Sequence, residues 1–506
     1  MLSRILHLPF FVILMGIAGA SMFLPAAHAV VTSDHHVART FAYCGFLFLI
    51  LTTLIAIATE NQKPGYLGRN HLLSMFGAFI GLPVILAVPF NIAVGNTTFL
   101  NSYVEMVSSL TTTGATLFDD PARLPASVHF WRALVGWLGG FLALVTAVAI
   151  LAPLNLGGFE VLAPLNNRGK AAGKTNVIWT TDGAHRLQRF SVRLFPIYAG
   201  LTFGLWIILL LLGDVPLVAV SHAMSVLATS GISPVGGLGN AGSGVGGEIV
   251  IFAFLFFALS RQTFMSDSSD GNIGQLKSDP EFRIAIFCVI ALPGLLFMRH
   301  WLGAYEVDEV RNVGGAIAAL WGSIFTVLSF LSTTGFESAA WGAAREWSGL
   351  ATPGIILMGL ALVGGGVATT AGGVKLLRVY ALYKHGVREM DRLVHPSSVG
   401  GAGSAARRLR RQGAYVAWVF FMLFALSLAV VTLALSLSGL DFQSAIVHTV
   451  AALSTTGPIV SVAGDDVVLM SAMNNGGKLI LAGAMVLGRL EMLAIIALFN
   501  PDFWRA

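Results

Sequence analysis

The sequence predicts an all-α membrane protein in which four M1–P–M2 repeats stand in pseudo-fourfold arrangement around one pore, with two extra N-terminal transmembrane helices. Three observations predict it. The chain of 506 residues is 56% hydrophobic and 11% charged, with a mean hydropathy of +0.79, whereas a soluble domain carries about a quarter charged residues. Apolar stretches of the roughly 20 residues that a helix needs to cross a bilayer recur along the whole length. One pattern also returns four times: an apolar span, a shorter semi-apolar stretch ending in Ser, Thr and Gly, a polar loop, and a second span.

The elements follow in order. Arg4, the apolar run from about Ile5 to Leu24, and Ala27-His28-Ala29 have the outline of a secretory signal with its cleavage site. That run is longer than a typical signal core and long enough to span, so a retained helix is expected; either outcome leaves the later spans in the same orientation. A second helix is expected from about Phe41 to Thr59. Span pairs then fall near 71–93 and 130–153, 190–213 and 248–265, 282–302 and 351–385, and 413–437 and 475–499, ten spans in all. The corresponding units are 1–66 for the N-terminal pair, then repeats over 67–160, 161–275, 276–400 and 401–506. The stretches inside each repeat are too short to cross, so re-entrant helices with loops are the expected form.

The repeat is clearest at the re-entrant tips. They read Leu110-Thr111-Thr112-Thr113-Gly114, Leu227-Ala228-Thr229-Ser230-Gly231, Leu331-Ser332-Thr333-Thr334-Gly335 and Leu453-Ser454-Thr455-Thr456-Gly457, with the glycines 117, 104 and 122 residues apart. Charge sets the direction. Arg168, Lys170, Lys174, Arg186 and Arg189 follow the first repeat, and Lys375, Arg378, Lys384, Arg388, Arg392, Arg407, Arg408, Arg410 and Arg411 follow the third. Basic segments stay in the cytoplasm, so the tips open outward. The pI near 9.3 thus reflects topology and lipid rather than nucleic acid. Cys44 and Cys288 lie in separate apolar runs and make neither a disulfide framework nor a metal cluster.

An ion crossing a bilayer must exchange its water for other oxygens, and rings of backbone carbonyls can supply them. Four Ser/Thr/Gly segments provide such carbonyls, with Gly114, Gly231, Gly335 and Gly457 expected at positive φ to aim them. Irregular backbone at this depth is tolerated where it lines a water-filled path. Small-residue helix packing would not need the same tip at the same topological place four times. Asp119, Asp120, Glu337, Asp465 and Asp466 fall just beyond the tips, and carboxylates at a pore mouth concentrate cations.

These residues resemble the TrkH/Ktr/HKT superfamily of potassium transporters, and its TrkH branch most closely, over nearly the whole chain. Besides the tips, the likeness includes Phe130-Trp131-Arg132, Trp137-Leu138-Gly139-Gly140, the run from Gly364 to Lys375, His395-Pro396, Gly488-Arg489-Leu490-Glu491 and Pro501-Asp502-Phe503-Trp504-Arg505. The resemblance implies potassium uptake at the bacterial inner membrane through a filter of Thr111–Gly114, Ala228–Gly231, Ser332–Gly335 and Ser454–Gly457. It implies K+ held at Thr112, Thr113, Thr229, Ser230, Thr333, Thr334, Thr455 and Thr456. It implies a homodimer with one pore per subunit, and a cytoplasmic TrkA-type regulatory subunit that carries the nucleotide. No cofactor is expected on this chain itself, and no enzyme activity.

The resemblance also implies a gate below the filter, in a broken second helix of the third repeat. Here that loop is Gly364, Gly365, Gly366, Ala368, Thr369, Thr370, Gly372 and Gly373. So many glycines destabilise a helix. Arg489 lies about 14 residues into the last span, where a charge should face a partner or a water-filled path; it is expected to hydrogen-bond the loop and help hold it closed. The chain departs from the family pattern at Ser230 and Leu142, where glycines are usual, and at Ala371 in a shortened glycine run.

Other motifs are dismissed by context. Gly237-Leu238-Gly239-Asn240-Ala241-Gly242 matches a dinucleotide pattern but follows a re-entrant tip, not a strand. Gly173-Lys174-Thr175 lacks the first glycine of a phosphate loop, and Asp267–Asn272 lacks the position-12 glutamate of a calcium loop. His35-His36 is one pair in an exposed loop. A membrane hydrolase would need a base and nucleophile within the spans. A sodium-coupled or sodium-conducting transporter is the nearer alternative, but such carriers usually use inverted repeats, and these four run in one direction.

Overall fold

The computed structural model describes residues 8–59, 67–153, 156–161, 183–260, 279–304, 313–349, 353–395, 411–464 and 467–490, and among these every regular element is helical. The N-terminal pair comprises α1 (Phe10–Ser21) with α2 (Phe23–Val31), then α3 (His35–Thr59). The first repeat is α4 (Leu67–Val94), α5 (Phe99–Leu110) and α6 (Ala126–Thr146), the last continued by a π-helical turn over Ala147–Leu151. The second is α7 (Gly183–Leu211), α8 (Pro216–Ala228) and α9 (Gly244–Leu255). The third is α10 (Pro280–Ala304), α11 (Val313–Leu331), the short α12 (Trp341–Ser348), α13 (Gly354–Val363) and α14 (Leu376–Val394). The fourth is α15 (Arg411–Leu437), α16 (Phe442–Leu453), α17 (Ile459–Val462) and α18 (Asn475–Leu490).

The repeats close on themselves. The second span of each repeat packs on the re-entrant helix of the next: α6 on α8, α9 on α11, α13 on α16, and α18 back on α5. This cyclic adjacency is the pseudo-fourfold arrangement. The N-terminal pair stands outside it, with α1 and α3 against α4 and α2 against α6. Outward-facing Leu47, Ile50 and Leu54 on α3, and Leu426 and Leu433 on α15, are exposed, as suits side chains whose solvent is lipid. Helix-interior Pro83, Pro89, Pro196 and Pro293 sit in α4, α7 and α10, where neighbouring helices re-satisfy the freed backbone groups.

Several boundaries differ from the sequence expectation. The first span starts at Phe10 and continues through Ala27-His28-Ala29 to Val31, turning at Met22. His28 Nδ1 lies 2.7 Å from Ser127 Oγ on α6, so that tripeptide is packed helix. Among the described residues, eight helices are long and apolar enough to span. The helix after the second tip is only Gly244–Ala258, and the one at 351–385 is split between Val363 and Leu376. The expected end of the last span lies outside the described residues. One of the eight, Gly314–Leu331, is a helix expected to be too brief to cross. It ends at the third tip as the 12- and 13-residue re-entrant helices end at theirs, so its added length lies on the side away from the tip.

Two basic residues counted toward the cytoplasmic face are buried instead. Lys375 Nζ donates to the Ala371 carbonyl, and Arg378 is fully buried with its guanidinium 3.6 Å from the centre of the Phe420 ring. They brace the broken span. Arg168, Lys170, Lys174, Arg407, Arg408 and Arg410, with the motifs at 173–175 and 267–272, lie outside the described residues. Gly237–Gly242 forms a turn around a 3-10 segment at Leu238–Asn240, as expected of a loop.

Candidate ion pathway

Each tip is built by its own helix in one way. The last turn closes as a Schellman motif, with a six-residue and a four-residue return bond. In the first repeat Thr113 N donates to Ser108 O and Thr112 N to Ser109 O. The same pair recurs from Ser230 to Ser225 and Thr229 to Val226, from Thr334 to Ser329 and Thr333 to Phe330, and from Thr456 to Ala451 and Thr455 to Ala452. Such caps need one left-handed residue, usually glycine. Here it is threonine in all four: Thr112 (φ 55°), Thr229 (52°), Thr333 (59°) and Thr455 (54°). A β-branched residue at positive φ is a genuine outlier, costing on the order of 1–3 kcal/mol, and such strain clusters at functional sites. The sequence reading names these four as filter residues but does not expect their left-handed backbone, because it assigns positive φ to the glycines alone.

The glycines have a further reason to be glycine. A Cβ on Gly114 would lie 1.8 Å from Ser230 O, and one on Gly231 2.3 Å from Thr334 O. One on Gly335 would lie 3.1 Å from the Pro458 ring, and one on Gly457 2.1 Å from Ala115 N. The four tips therefore touch in a closed ring, first to second to third to fourth to first. Gly114, Gly231 and Gly335 have positive φ (72°, 64° and 80°), but Gly457 does not. It precedes Pro458, which biases it toward extended backbone, and its N–H donates to Thr113 O at 2.6 Å. Its glycine identity rests on close approach. Thr111, Thr112, Thr113, Ala228, Thr229, Ser230, Ser332, Thr333, Thr334, Ser454, Thr455 and Thr456 are all buried. The hydroxyls of Thr112 and Thr455 have no protein partner among the described residues.

Beneath the ring sits the break in the third repeat. Gly364 turns the chain out of α13 at φ 72°, Ala368 adds a left-handed residue at 54°, and Gly373 (75°) and Lys375 (85°) lead into α14. The loop is held to three tips. Thr370 Oγ1 donates to Leu227 O at 3.0 Å and Gly372 N to Thr333 Oγ1 at 2.8 Å, while a Cβ on Gly372 would lie 2.2 Å from both Ser454 O and Thr455 Oγ1. From below, Gly366 N donates to Ala258 O and Val367 N to Glu281 Oε1 at 2.9 Å. Thr369 Oγ1 donates to Gly366 O at 2.7 Å, which tightens the loop on itself. Gly365 has Ala258 O and the Ala371 side chain against the position of any Cβ.

Arg489 comes from α18. Its Nη1 donates to Thr370 O at 2.6 Å, so the arginine and the loop expected to be near one another are in contact. The neighbouring Gly488 packs against the Leu453 carbonyl at the end of α16, as Gly139 packs against Leu110 O at the end of α5. In both places a second span comes within van der Waals reach of the carbonyl end of a re-entrant helix. A cavity of about 40 Å³ between Phe79, Thr146, Thr369 and Arg489 lies beside the loop.

This architecture has known counterparts. The family model TrkH, described as a cation transport protein, matches residues 284–505. The Trk system potassium uptake protein TrkH of Salmonella typhimurium is 29% identical over 490 residues, 96% of this chain and 96% of that protein. The crystal structure of the potassium transporter TrkH from Vibrio parahaemolyticus superposes with a TM-score of 0.82 at 26% identity, covering 100% of each chain. The chain is similar to these Trk potassium uptake proteins over nearly its whole length. It is a multi-pass membrane protein, and the TrkG protein of Escherichia coli K12, another Trk system potassium uptake protein, is 26% identical over 434 residues.

At the outer mouth the carboxylates are partly engaged. Asp119 Oδ2 accepts from Ser471 Oγ at 2.6 Å, and Asp120 caps a 3-10 turn through Ala122 N at 2.9 Å. Glu337 accepts from Ser461 Oγ at 2.9 Å, and burial raises its pKa above the ordinary glutamate value. Asp465 and Asp466 lie outside the described residues. His35 and His36 start α3, exposed.

Proposed function

We propose that this chain is a TrkH-family member that takes up potassium across the bacterial inner membrane through the ring of four tips. The filter is Thr111–Gly114, Ala228–Gly231, Ser332–Gly335 and Ser454–Gly457, within repeats spanning 67–160, 161–275, 276–400 and 401–506. The single observation that carries the reading is the closed ring, in which each tip touches the next and each ends in the same strained cap. A ring of carbonyls from irregular backbone is the physical requirement for replacing an ion's hydration shell. Potassium comes from the chain's relatives, which are named as Trk system potassium uptake proteins.

The gate in this reading is the loop Gly364–Gly373 with Arg489. The loop lies under three tips and is tethered by a charged hydrogen bond, so conduction requires it to leave. A cytoplasmic TrkA-type subunit carrying the nucleotide would bias that motion, and two copies of the chain would assemble as a homodimer with one pore each. The test is tracer flux into sealed liposomes holding the purified protein, comparing potassium, rubidium, sodium and lithium. Potassium and rubidium flux well above sodium supports the reading. Sodium flux equal or greater keeps the pore and overturns the ion; no flux of any ion, even with the regulator, overturns the pore.

A further inference from the structure

Nine residues before each tip glycine stands a buried polar side chain, different in kind each time: Glu105, His222, Thr326 and His448. All four are at most 1% exposed, on helices that are otherwise largely apolar. Each reaches across to the limb that climbs from its own tip toward the outer face. Glu105 Oε2 accepts from Leu117 N at 2.9 Å. His222 Nε2 lies 2.8 Å from Ser233 Oγ, which itself accepts from Gly237 N at 3.0 Å. Thr326 Oγ1 accepts from Ser338 N at 3.3 Å. His448 donates from Nε2 to Val468 O at 2.7 Å.

Two of these struts are reinforced from a second span. Arg132 on α6 meets Glu105 Oε1 at 2.6 Å, with both side chains buried. Glu248 on α9 reaches into the next repeat, accepting from Ser338 Oγ at 2.7 Å, Ala339 N at 2.7 Å and Trp321 Nε1 at 2.8 Å. A buried carboxylate is tolerated only when its lone pairs are satisfied, and Glu248 accepts from three donors, two on one bend of the third limb and one on α11. A packing role alone does not account for a polar atom at one register in four helices, each time directed at the limb. An apolar residue would fill the same space without a desolvation cost.

We infer that Glu105, His222, Thr326 and His448, with Arg132 and Glu248 behind two of them, are positioning residues that hold the four limbs apart and so set which cation the ring accepts. The inference rests on the filter reading. A ring discriminates against a smaller ion only if its limbs do not draw in around it, and each strut fixes one limb to the helix that carries the tip. Because the struts differ chemically, they are separable by substitution.

The test is the rubidium-to-sodium flux ratio in liposomes, measured with total rubidium flux, for Thr326→Val, Thr326→Ser, Glu248→Gln and Gly335→Ser. Thr326→Val keeps the shape and deletes the acceptor, while Thr326→Ser keeps the hydroxyl. Thr326→Val and Glu248→Gln are expected to lower the ratio on the order of tenfold with rubidium flux retained, the change that loss of one buried hydrogen bond carries. Thr326→Ser is expected to hold it. An unchanged ratio in Thr326→Val and Glu248→Gln, with Gly335→Ser collapsing it, overturns the struts and leaves the filter. An unchanged ratio in Gly335→Ser overturns both. Should Glu248→Gln fail to accumulate, Thr326→Val against Thr326→Ser decides alone.

Discussion

The ring of tips and the loop beneath it are both irregular backbone at membrane depth, yet they are held differently. Each tip is closed by two backbone hydrogen bonds to its own helix and touches its neighbours on both sides. The loop between Val363 and Leu376 is closed at its base by three backbone bonds, Val374 N to Leu362 O, Lys375 N to Val363 O and Leu376 N to Gly365 O. Its middle is fixed by contacts from elsewhere: Arg489 from α18, Glu281 from α10, and single bonds to the second and third tips. Local, repeated bonds make a rigid element, because losing one leaves the others in place. A few distant side-chain contacts make an element that can be released. On the proposed function, selection would fall to the ring and opening to the middle of the loop.

The largest effect is expected at Gly335. At Gly335 φ is 80°, where L side chains are rare, and a Cβ would press on the Pro458 ring at 3.1 Å; a left-handed L-residue costs about 1–2 kcal/mol. Gly335→Ser should displace the limb and lower the rubidium-to-sodium ratio by more than about tenfold, a strain of 1.4 kcal/mol being worth that factor. Next comes the loop. Arg489→Ala removes a charged hydrogen bond, worth about 1.5–3 kcal/mol, and should raise basal flux on the order of 10- to 100-fold if that bond is lost on opening. Unchanged basal and regulated flux would remove Arg489 from the gate.

A smaller effect is expected at the mouth. Burial raises the Glu337 pKa, with the Ser461 hydrogen bond and Arg345 opposing it. The carboxylate is therefore charged and attracts cations above that raised value, and loses its charge as external pH falls through it, at a higher pH than a free glutamate. Wild-type uptake at low ion concentration should fall across that range, and Glu337→Gln should flatten the pH profile. The smallest effect is at the caps. Thr98 Oγ1 accepts from Asn101 N at the start of α5, and Thr98→Ala should cost about 1 kcal/mol of stability, read as a fall in Tm in detergent. Asp441 caps α16, and the Ser444 hydrogen bonds lower its pKa. Its stabilisation is thus present above the unfolded aspartate range and lost as pH falls through the lowered value.

Much of this was legible in the chain. Hydropathy marks lipid-crossing helices because a bilayer tolerates little else, and the four tips share one frame because each terminates an equivalent helix. The break in the third repeat was legible as glycines inside a span. The rest needed three dimensions. Gly457 looks like its three counterparts, but Pro458 and the Thr113 carbonyl give it a different backbone. Lys375 and Arg378 read as cytoplasmic charges until the broken helix buries them. The strained threonines are visible as residues but not as left-handed caps. Glu105, His222, Thr326 and His448 share no residue type, so only alignment on the tip glycines brings them into register, and a polar residue within each apolar stretch was the available signal.

The most direct test of the division between ring and loop is Gly372→Ala, measured for total rubidium flux and for the rubidium-to-sodium ratio in the same liposomes. A Cβ at Gly372 would lie 2.2 Å from Ser454 O and Thr455 Oγ1, so the substitution should drive the loop from beneath the ring. Raised basal flux at an unchanged ratio is the predicted result. A changed ratio at unchanged flux would contradict the division, placing the loop in the selecting element rather than the gate.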